Sequence, residues 1–334
     1  MLRAELRSGP LRGREVEVLN ELKGAMELDE IYLPGQSVLV EYAANPEGSI
    51  TAAYARGRYR IDLTLLLVGL FAVLLIGVAG LTGLKALLSF GLAVLMLWKV
   101  LYPSILKGHD PIWIALGVAT TLIGIICFLV GGLTRKGTVA FLGSLLGLVL
   151  TCCLSMVFTR LFGIHGAVQP YAPTLVYSGF FDVNLTRLFM ASVFIAASGA
   201  LMDVAMDIAA SMDEIYDKQP TIGFAEHILS GLTVGRAVIG TMTTTLLLAY
   251  SGSYSAMLMV FMGQGVPLVN VFNMSHVSGE VLHTLVGSFG MVTVAPFTAI
   301  VGGFIYRWRP AASASIAAPT EGAQVQSRPK GSAA

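Results

Sequence analysis

Two aspartates lie four residues apart near the end of an otherwise apolar stretch. Asp203 and Asp207 occur in the segment SGALMDVAMDIAASMDE, residues 198–214. Residues four apart share one face of an α-helix, so the two carboxylates are predicted to continue the row of Gly199 and Ala196. An ionisable side chain in an apolar span is costly and by default indicates a pathway or binding site. The spacing predicts a shared site for a cation or a proton; the alternative is a helix end solvated at the membrane surface.

A second polar group follows in the next apolar stretch. Hydroxyl side chains are dense between Thr241 and Ser255, and Thr241 and Thr245 are spaced by about one helical turn. Such a row either lines a polar conduit or hydrogen-bonds neighbouring helices, which is the commoner use. Arg236, at the start of this stretch, is predicted to neutralise the two aspartates across a short connection.

A break at residues 263–267, with two glycines and a proline, precedes a third polar group. His276, Glu280 and His283 would stack on one face if they share a helix, which is a pattern compatible with metal ligation. An interfacial helix cap produces the same pattern more often, so no metal site is predicted. Polar residues interpreted as loop positions are Asp213, Glu214, Asp217 and His227.

The elements that carry these residues are long runs without an ionised side chain. Six such runs cover residues 63–84, 111–134, 137–159, 188–202, 237–279 and 281–306. About 20 apolar residues cross a bilayer, and a seventh span at 83–102 has lysines near its ends, where long stems reach the headgroups. With 55% hydrophobic and 12% charged residues, a soluble α/β core is disfavoured because its helices would need polar faces. The sequence predicts an all-α polytopic transmembrane bundle of about seven spans.

The region before these spans has a different pattern. Val16 and Val18, residues 38–42 and residues 50–54 alternate in the manner of β-strands. Fewer than 60 residues form a marginal core, so this region is predicted to be supported by the membrane surface, a partner or another copy. The predicted domains are a small β-rich soluble domain at 1–58, a transmembrane helical domain at 59–308 and a disordered tail at 309–334.

Composition and motifs argue against several classes of function. A net charge of +1, without a basic run interleaved with aromatics, argues against a nucleic-acid partner. Cys127, Cys152 and Cys153 fall inside predicted spans, so they predict no disulfide framework. The sequence has no P-loop, HExxH or GxSxG motif, and we therefore predict neither an enzyme nor a cofactor.

Three ordered segments together resemble the bacterial YibE/F-like family of multi-pass membrane proteins. They are SGALMDVAMDIAASMDEI (198–215), GRAVIGTMTTTLLLAY (235–250) and GEVLHTLVGSFGMVTVAPFTA (279–299). The resemblance implies a bacterial plasma (inner) membrane protein with its β-domain outside the cytoplasm and its tail inside. The Lys and Arg residues near the spans divide too evenly to orient the chain by themselves.

Individual residues of this sequence also match positions of the family pattern. Those that match are Asp203, Asp207, Glu214, Gly235, Arg236, Gly240, Thr241, Thr243, Glu280, Gly287, Ser288 and Pro296. Two positions depart from the family pattern, because Thr244 stands where Asn is expected and His283 where Arg is usual. His283 is accordingly interpreted as a neutralising cation rather than a metal ligand.

These patterns predict a transporter or permease-like protein, coupled to a cation or protons, with its path between the fifth, sixth and seventh spans. The residues predicted for the path are Asp203 and Asp207 as ligands, Thr241 and Thr245 as its lining, and Arg236 with Glu280 at its ends. Its expected partners are the lipid bilayer and either a partner subunit or further copies of the chain. The alternative is a non-catalytic membrane scaffold in which the same groups fasten helices and the β-domain recruits a partner.

Overall fold

The architecture is given by a computed structural model that describes residues 1–22, 24, 29–45 and 50–307. The predicted disordered tail at 309–334 lies outside the described residues. The chain divides into two units, Met1–Leu84 and Lys85–Ala334. Each unit is described by itself.

The first unit contains four short strands in two antiparallel pairs. The strands are β1 (Leu2–Glu5), β2 (Glu15–Val18), β3 (Val38–Ala44) and β4 (Ile50–Arg58). β1 pairs with β2, and β3 pairs with β4. The predicted β-rich region is therefore confirmed. The sequence does not predict β1, because its four residues include two charged side chains and only one strongly apolar one.

One parallel bridge joins the two pairs. The Leu19 N–H donates to the Ala53 carbonyl at 2.8 Å, and the Ala55 N–H donates to the Leu19 carbonyl at 3.0 Å. Val18 and Ala53 are buried beside this bridge in a small apolar core. The described part of this unit is thus two hairpins joined at a single point.

The first long helical run is interrupted at one glycine. It continues as α1 (Ile61–Met96), a π-helical turn (Leu97–Leu101) and α2 (Tyr102–Leu106). At 1.5 Å per residue its 46 residues would extend about 69 Å, over twice the hydrocarbon thickness of a bilayer. Gly80 has φ 56°, and a Cβ on Gly83 would overlap the Leu75 carbonyl oxygen, so the run bends sharply there.

This kink separates two of the predicted spans. The spans predicted at 63–84 and 83–102 meet near Gly80, where the backbone leaves helical dihedrals. The described residues contain six helical runs long and apolar enough to cross a membrane, and the kinked run Ile61–Leu106 covers both of these predicted spans. The predicted all-α bundle is confirmed, and these helices make the chain a membrane protein.

The second unit is built from five long helices. They are α3 (Pro111–Gly131), α4 (Arg135–Leu161), α6 (Leu185–Lys218), α7 (Phe224–Gly263) and α9 (Ser275–Arg307), and two short helices, α5 (Ala172–Tyr177) and α8 (Leu268–Asn273), lie between them. α6 packs against α3, α4, α7 and α9 and is therefore the central helix. α7 begins 13 residues before the predicted run at 237–279 and ends at the predicted break, where Gly265 has φ 68°.

Glycines allow the closest helix contacts. A Cβ on Gly143 of α4 would overlap Thr298 of α9, and a Cβ on Gly290 of α9 would overlap Thr151 of α4. Small residues at such crossings let helix backbones approach closely in a membrane. Leu201 of α6 lies against both Gly147 of α4 and Gly290 of α9, so the α4–α9 contact borders the buried side of α6.

An ion pair fixes the start of α3 beside the start of α6. Asp110 caps α3 by accepting from the Ile112 N–H at 3.0 Å. The same carboxylate accepts from Arg187, with Nη2–Oδ2 at 2.6 Å and Nε–Oδ1 at 3.0 Å. This bidentate geometry is the strong form of an Arg–carboxylate contact, and it marks a charged layer at this end of the bundle.

Candidate functional site

The two aspartates lie on the uncovered face of the central helix. Asp203 and Asp207 are exposed on α6, in one row with the exposed residues Gly199 and Ala196. The opposite face of α6 is buried, with Leu201, Val204, Ala205, Ile208 and Met212 all at 0% exposure. The predicted shared face of the two carboxylates is therefore present.

The carboxylate row lies between α3 and α7. On one side of it, the Met206 methyl lies 3.5 Å from the position a Cβ would take on Gly131 of α3. On the other side, Ile208 lies 3.1 Å from the corresponding position on Gly235 of α7. The exposed strip of α6 between these two contacts carries both carboxylates, and we call this strip the aspartate groove.

The depth of the groove follows from helical rise. Arg187, at one end of α6, and Asp213, which contacts the end of α9, are separated by about 39 Å of helix at 1.5 Å per residue. Asp203 lies about 15 Å from Asp213 along the axis, and Asp207 about 9 Å. A hydrocarbon core of about 30 Å centred between these charged layers would include both carboxylates.

Neither aspartate has a cationic partner among the described residues. The ion pairs found among the described residues are Arg3–Glu17, Arg56–Glu41, Arg60–Glu30, Arg187–Asp110 and Lys218–Glu214. Asp203, Asp207 and Arg236 take part in none of them. The predicted neutralisation of the aspartates by Arg236 within one chain is therefore not formed.

Rotation around α7 explains why this pairing fails. Gly231 is closest to Met212 of α6, whereas Ile228 contacts Gly303 of α9. Each residue turns the helix by about 100°. Going around α7, the direction from Gly231 to Ile228 leads from α6 toward α9, and Arg236 lies farther around in the same direction, on the α9 flank. Arg236 is exposed on that flank, away from the groove.

The two threonines lie on the other flank of α7. Thr241 is about 240° from Gly235 around the helix, which places it and Thr245 on the flank that faces the aspartate groove. Both residues are exposed. Their hydroxyls donate to α7 carbonyls, Thr241 to Val238 at 3.0 Å and Thr245 to Thr241 at 3.3 Å. The hydroxyl oxygens keep acceptor capacity toward the groove.

The third polar group, His276, Glu280 and His283, lies on α9, but the three side chains contact different partners. Tyr254 of α7 lies near Glu280 of α9. His276 Nδ1 is 3.0 Å from the Val168 carbonyl, and His283 Nε2 is 3.3 Å from the Ser192 carbonyl of α6. In the described part of the chain, no group of three His, Cys, Asp or Glu side chains could hold a metal ion. These side chains connect separate elements.

A polar cluster at the opposite end of the bundle is missed by the sequence analysis. The Tyr306 hydroxyl donates to Asp213 at 2.8 Å, and His227 Nε2 is 2.9 Å from the Met212 carbonyl. His227 is 3% and Tyr306 1% exposed, and their rings lie 5.3 Å apart. The interpretation of Asp213, Glu214, Asp217 and His227 as loop residues is wrong, because α6 and α7 extend beyond their apolar runs. Only the helical spacing of flanking Ile208, Met212 and Ile228 could have indicated this.

Comparison with known families identifies the chain's relatives. A family model described as YibE/F-like protein matches residues 67–308. No curated protein and no solved structure matches the chain. The match covers most of the chain, including the aspartate groove, so the chain belongs to the YibE/F-like family.

Proposed function

We propose that this YibE/F-like membrane protein is a transport-type protein that binds a cation, or relays protons, at Asp203 and Asp207. One observation carries the proposal. Two carboxylates share an exposed face of α6, a helix long and apolar enough to cross a membrane, and the described residues supply no cation to either of them. Such a pair is costly in a membrane unless it is hydrated, protonated or bound to an ion.

The groove offers chemistry suited to a small cation. Carboxylate oxygens one turn apart on α6 can share one ligand. Thr241 and Thr245 of α7 add hydroxyl acceptors. Thr245 lies one helical turn farther along α7 from the level of Asp207 than Thr241 does. Hard cations prefer oxygen ligands of these types. Protons could pass between the same carboxylates by way of water in the groove.

The remaining predicted residues have supporting roles in this proposal. Glu280, near Tyr254, lies at the end of the bundle far from Asp207. Arg236 lies at the depth of Asp207 on the opposite flank of α7. Both are positioned to bias the field along the path rather than to bind its cargo. Energy would come from an ion gradient or another subunit, and no enzymatic step is proposed.

The proposed location follows the family resemblance. We place the protein in the bacterial plasma membrane, with the β-strands outside the cytoplasm and the C-terminal end inside. Proteolysis of sealed inverted vesicles would test this orientation, because only cytoplasmic segments are accessible there. Cleavage within the strands β1–β4 of such vesicles would reverse it.

Reconstituted flux tests the function. Purified protein in proteoliposomes is screened with a panel of monovalent and divalent cations and with a pH gradient. Asp203→Asn and Asp207→Asn should abolish the flux that wild-type protein supports, with circular dichroism unchanged. Asp217→Asn is the matched control, since Asp217 is exposed on the same helix beyond the groove and its substitution should leave flux intact.

The scaffold alternative has its own supporting observation. Polar side chains do connect elements at Glu280, His283 and Tyr306. In a pure scaffold the two aspartates would serve the same purpose, and flux would be absent or unchanged by their substitution. Loss of folding in Asp203→Asn, without any flux in wild-type protein, would favour that alternative.

A further inference from the structure

We propose that the aspartate groove is closed by a second copy of this chain, which supplies its Arg236 to Asp207 of the first and leaves Asp203 for the cation or proton. The inference rests on the proposed ion site, because it assigns a cationic neighbour to Asp207 that one copy lacks.

Depth is the first observation. Gly235 of α7 contacts Ile208 of α6, so their sequence neighbours Arg236 and Asp207 lie within about one helical turn of the same level. Copies of a membrane protein are related by rotation about the membrane normal, which keeps every residue at its depth. Arg236 of one copy therefore reaches the level of Asp207 in the next without any vertical shift.

Charge is the second observation. Arg236 and the two aspartates are exposed charged groups of opposite sign, and none has an ion-pair partner among the described residues. Contact between copies would pair Arg236 of one copy with Asp207 of the next. An Arg–carboxylate pair in protein surroundings is favoured over either group alone in hydrocarbon.

The surface of α7 is the third observation. Of the five spans in the second unit, its segment Phe224–Ala249 is the least covered, at 11% buried, and it is the least apolar of all six spans. A Cβ on Gly240 would meet no atom within 4 Å, so a neighbouring helix can approach this surface closely. A helix of this composition is suited to contact with protein rather than with lipid alone.

The positions around the bundle fix the type of contact. Asp207 lies between α3 and α7, whereas Arg236 lies on the α9 flank of α7. The two patches are different surfaces of one copy, so the contact between copies is heterologous, the type that forms a ring where the rotation between copies closes. In this assembly α7 of one copy covers the groove of its neighbour, and the ion site is complete only between copies.

Cysteine crosslinking tests the contact without disturbing the charges. Thr243 lies on the Arg236 flank at the depth of Gly199, and both residues are exposed. Two differently tagged chains, one with Thr243→Cys and one with Gly199→Cys, are co-expressed in a Cys153→Ser background and oxidised in native membranes. Chains with Thr243→Cys mixed with chains with Gly199→Cys should give a crosslinked dimer band at least ten times as intense as the control, in which both tagged chains have Gly199→Cys. Equal bands, or a stronger Gly199→Cys pair, would overturn the heterologous contact.

Charge reversal gives an independent test. Native mass spectrometry from membranes should show an oligomer that Arg236→Glu reduces at least tenfold and that Arg236→Glu with Asp207→Arg restores. A monomeric wild-type protein, or an oligomer unaffected by Arg236→Glu, would refute the inference. Neither test measures flux: carboxylate-dependent flux in a monomer overturns only the inference, and an oligomer with flux unaffected by Asp203→Asn overturns only the proposed function.

Discussion

Neutralising Asp203 should stabilise the protein while it removes the proposed function. The carboxylate has no cationic partner among the described residues, and a hydrocarbon core centred between the charged layers at Arg187 and Asp213 would include it. An aspartate at the centre of a membrane helix costs about 2.5–3.5 kcal/mol. Asp203 is off centre and open to the groove, so we expect Asp203→Asn to raise the free energy of unfolding by about 1–2 kcal/mol. The assay is unfolding in lipid bicelles at pH 8, followed by circular dichroism.

The matched control is Asp213→Asn on the same helix. Asp213 accepts a hydrogen bond from Tyr306 at 2.8 Å, and weakening a bond to a charged acceptor should lower the free energy of unfolding by about 1 kcal/mol. The two substitutions are chemically identical, so their opposite signs isolate the environment of each carboxylate. If Asp203→Asn destabilises the protein as much as Asp213→Asn does, Asp203 fastens helices and the reasoning is refuted.

Two further predictions concern packing and pH. Gly290→Val should lower the free energy of unfolding by about 1–3 kcal/mol through overlap with Thr151. Gly117→Val in α3 should change it little, because a Cβ there meets no atom within 4 Å, and equal losses in thermal unfolding would contradict the α4–α9 contact. In the first unit, the hydrogen bond from Arg60 lowers the pKa of Glu30. Because a lowered pKa stabilises the folded state above the ordinary carboxyl range, this contribution should be present at pH 7 and disappear as pH falls through the folded-state pKa. Amide hydrogen exchange of β4 should show that dependence in wild-type protein, and its persistence in Glu30→Gln would exclude Glu30 as the source.

The sequence predicts those features that depend on one element at a time. Uninterrupted apolar runs identify the helices, and four-residue spacing places Asp203 and Asp207 on one face. Alternation identifies β2, β3 and β4. The bend at Gly80 is not predicted, because one glycine in an apolar run does not reveal its dihedral angles.

Features that depend on two elements are predicted less well. Whether Arg236 reaches Asp207 depends on how α7 rotates against α6, and that rotation is set by glycine contacts such as Gly235 with Ile208. The buried contact of His227 with α6 was missed for a similar reason, since polar residues beyond an apolar run give no sign that the helix continues. Pairwise packing, rather than local pattern, decides these features.

Infrared difference spectroscopy of reconstituted membranes tests the ion site most directly. Changing the cation or the pH should produce a carboxylate difference band in wild-type protein, because ligand binding or protonation alters the stretch of Asp203 and Asp207. We predict that this band is absent in Asp203→Asn with Asp207→Asn and is retained in Asp217→Asn. A band of full intensity in the doubly substituted protein would contradict the assignment of these two carboxylates as the ion site.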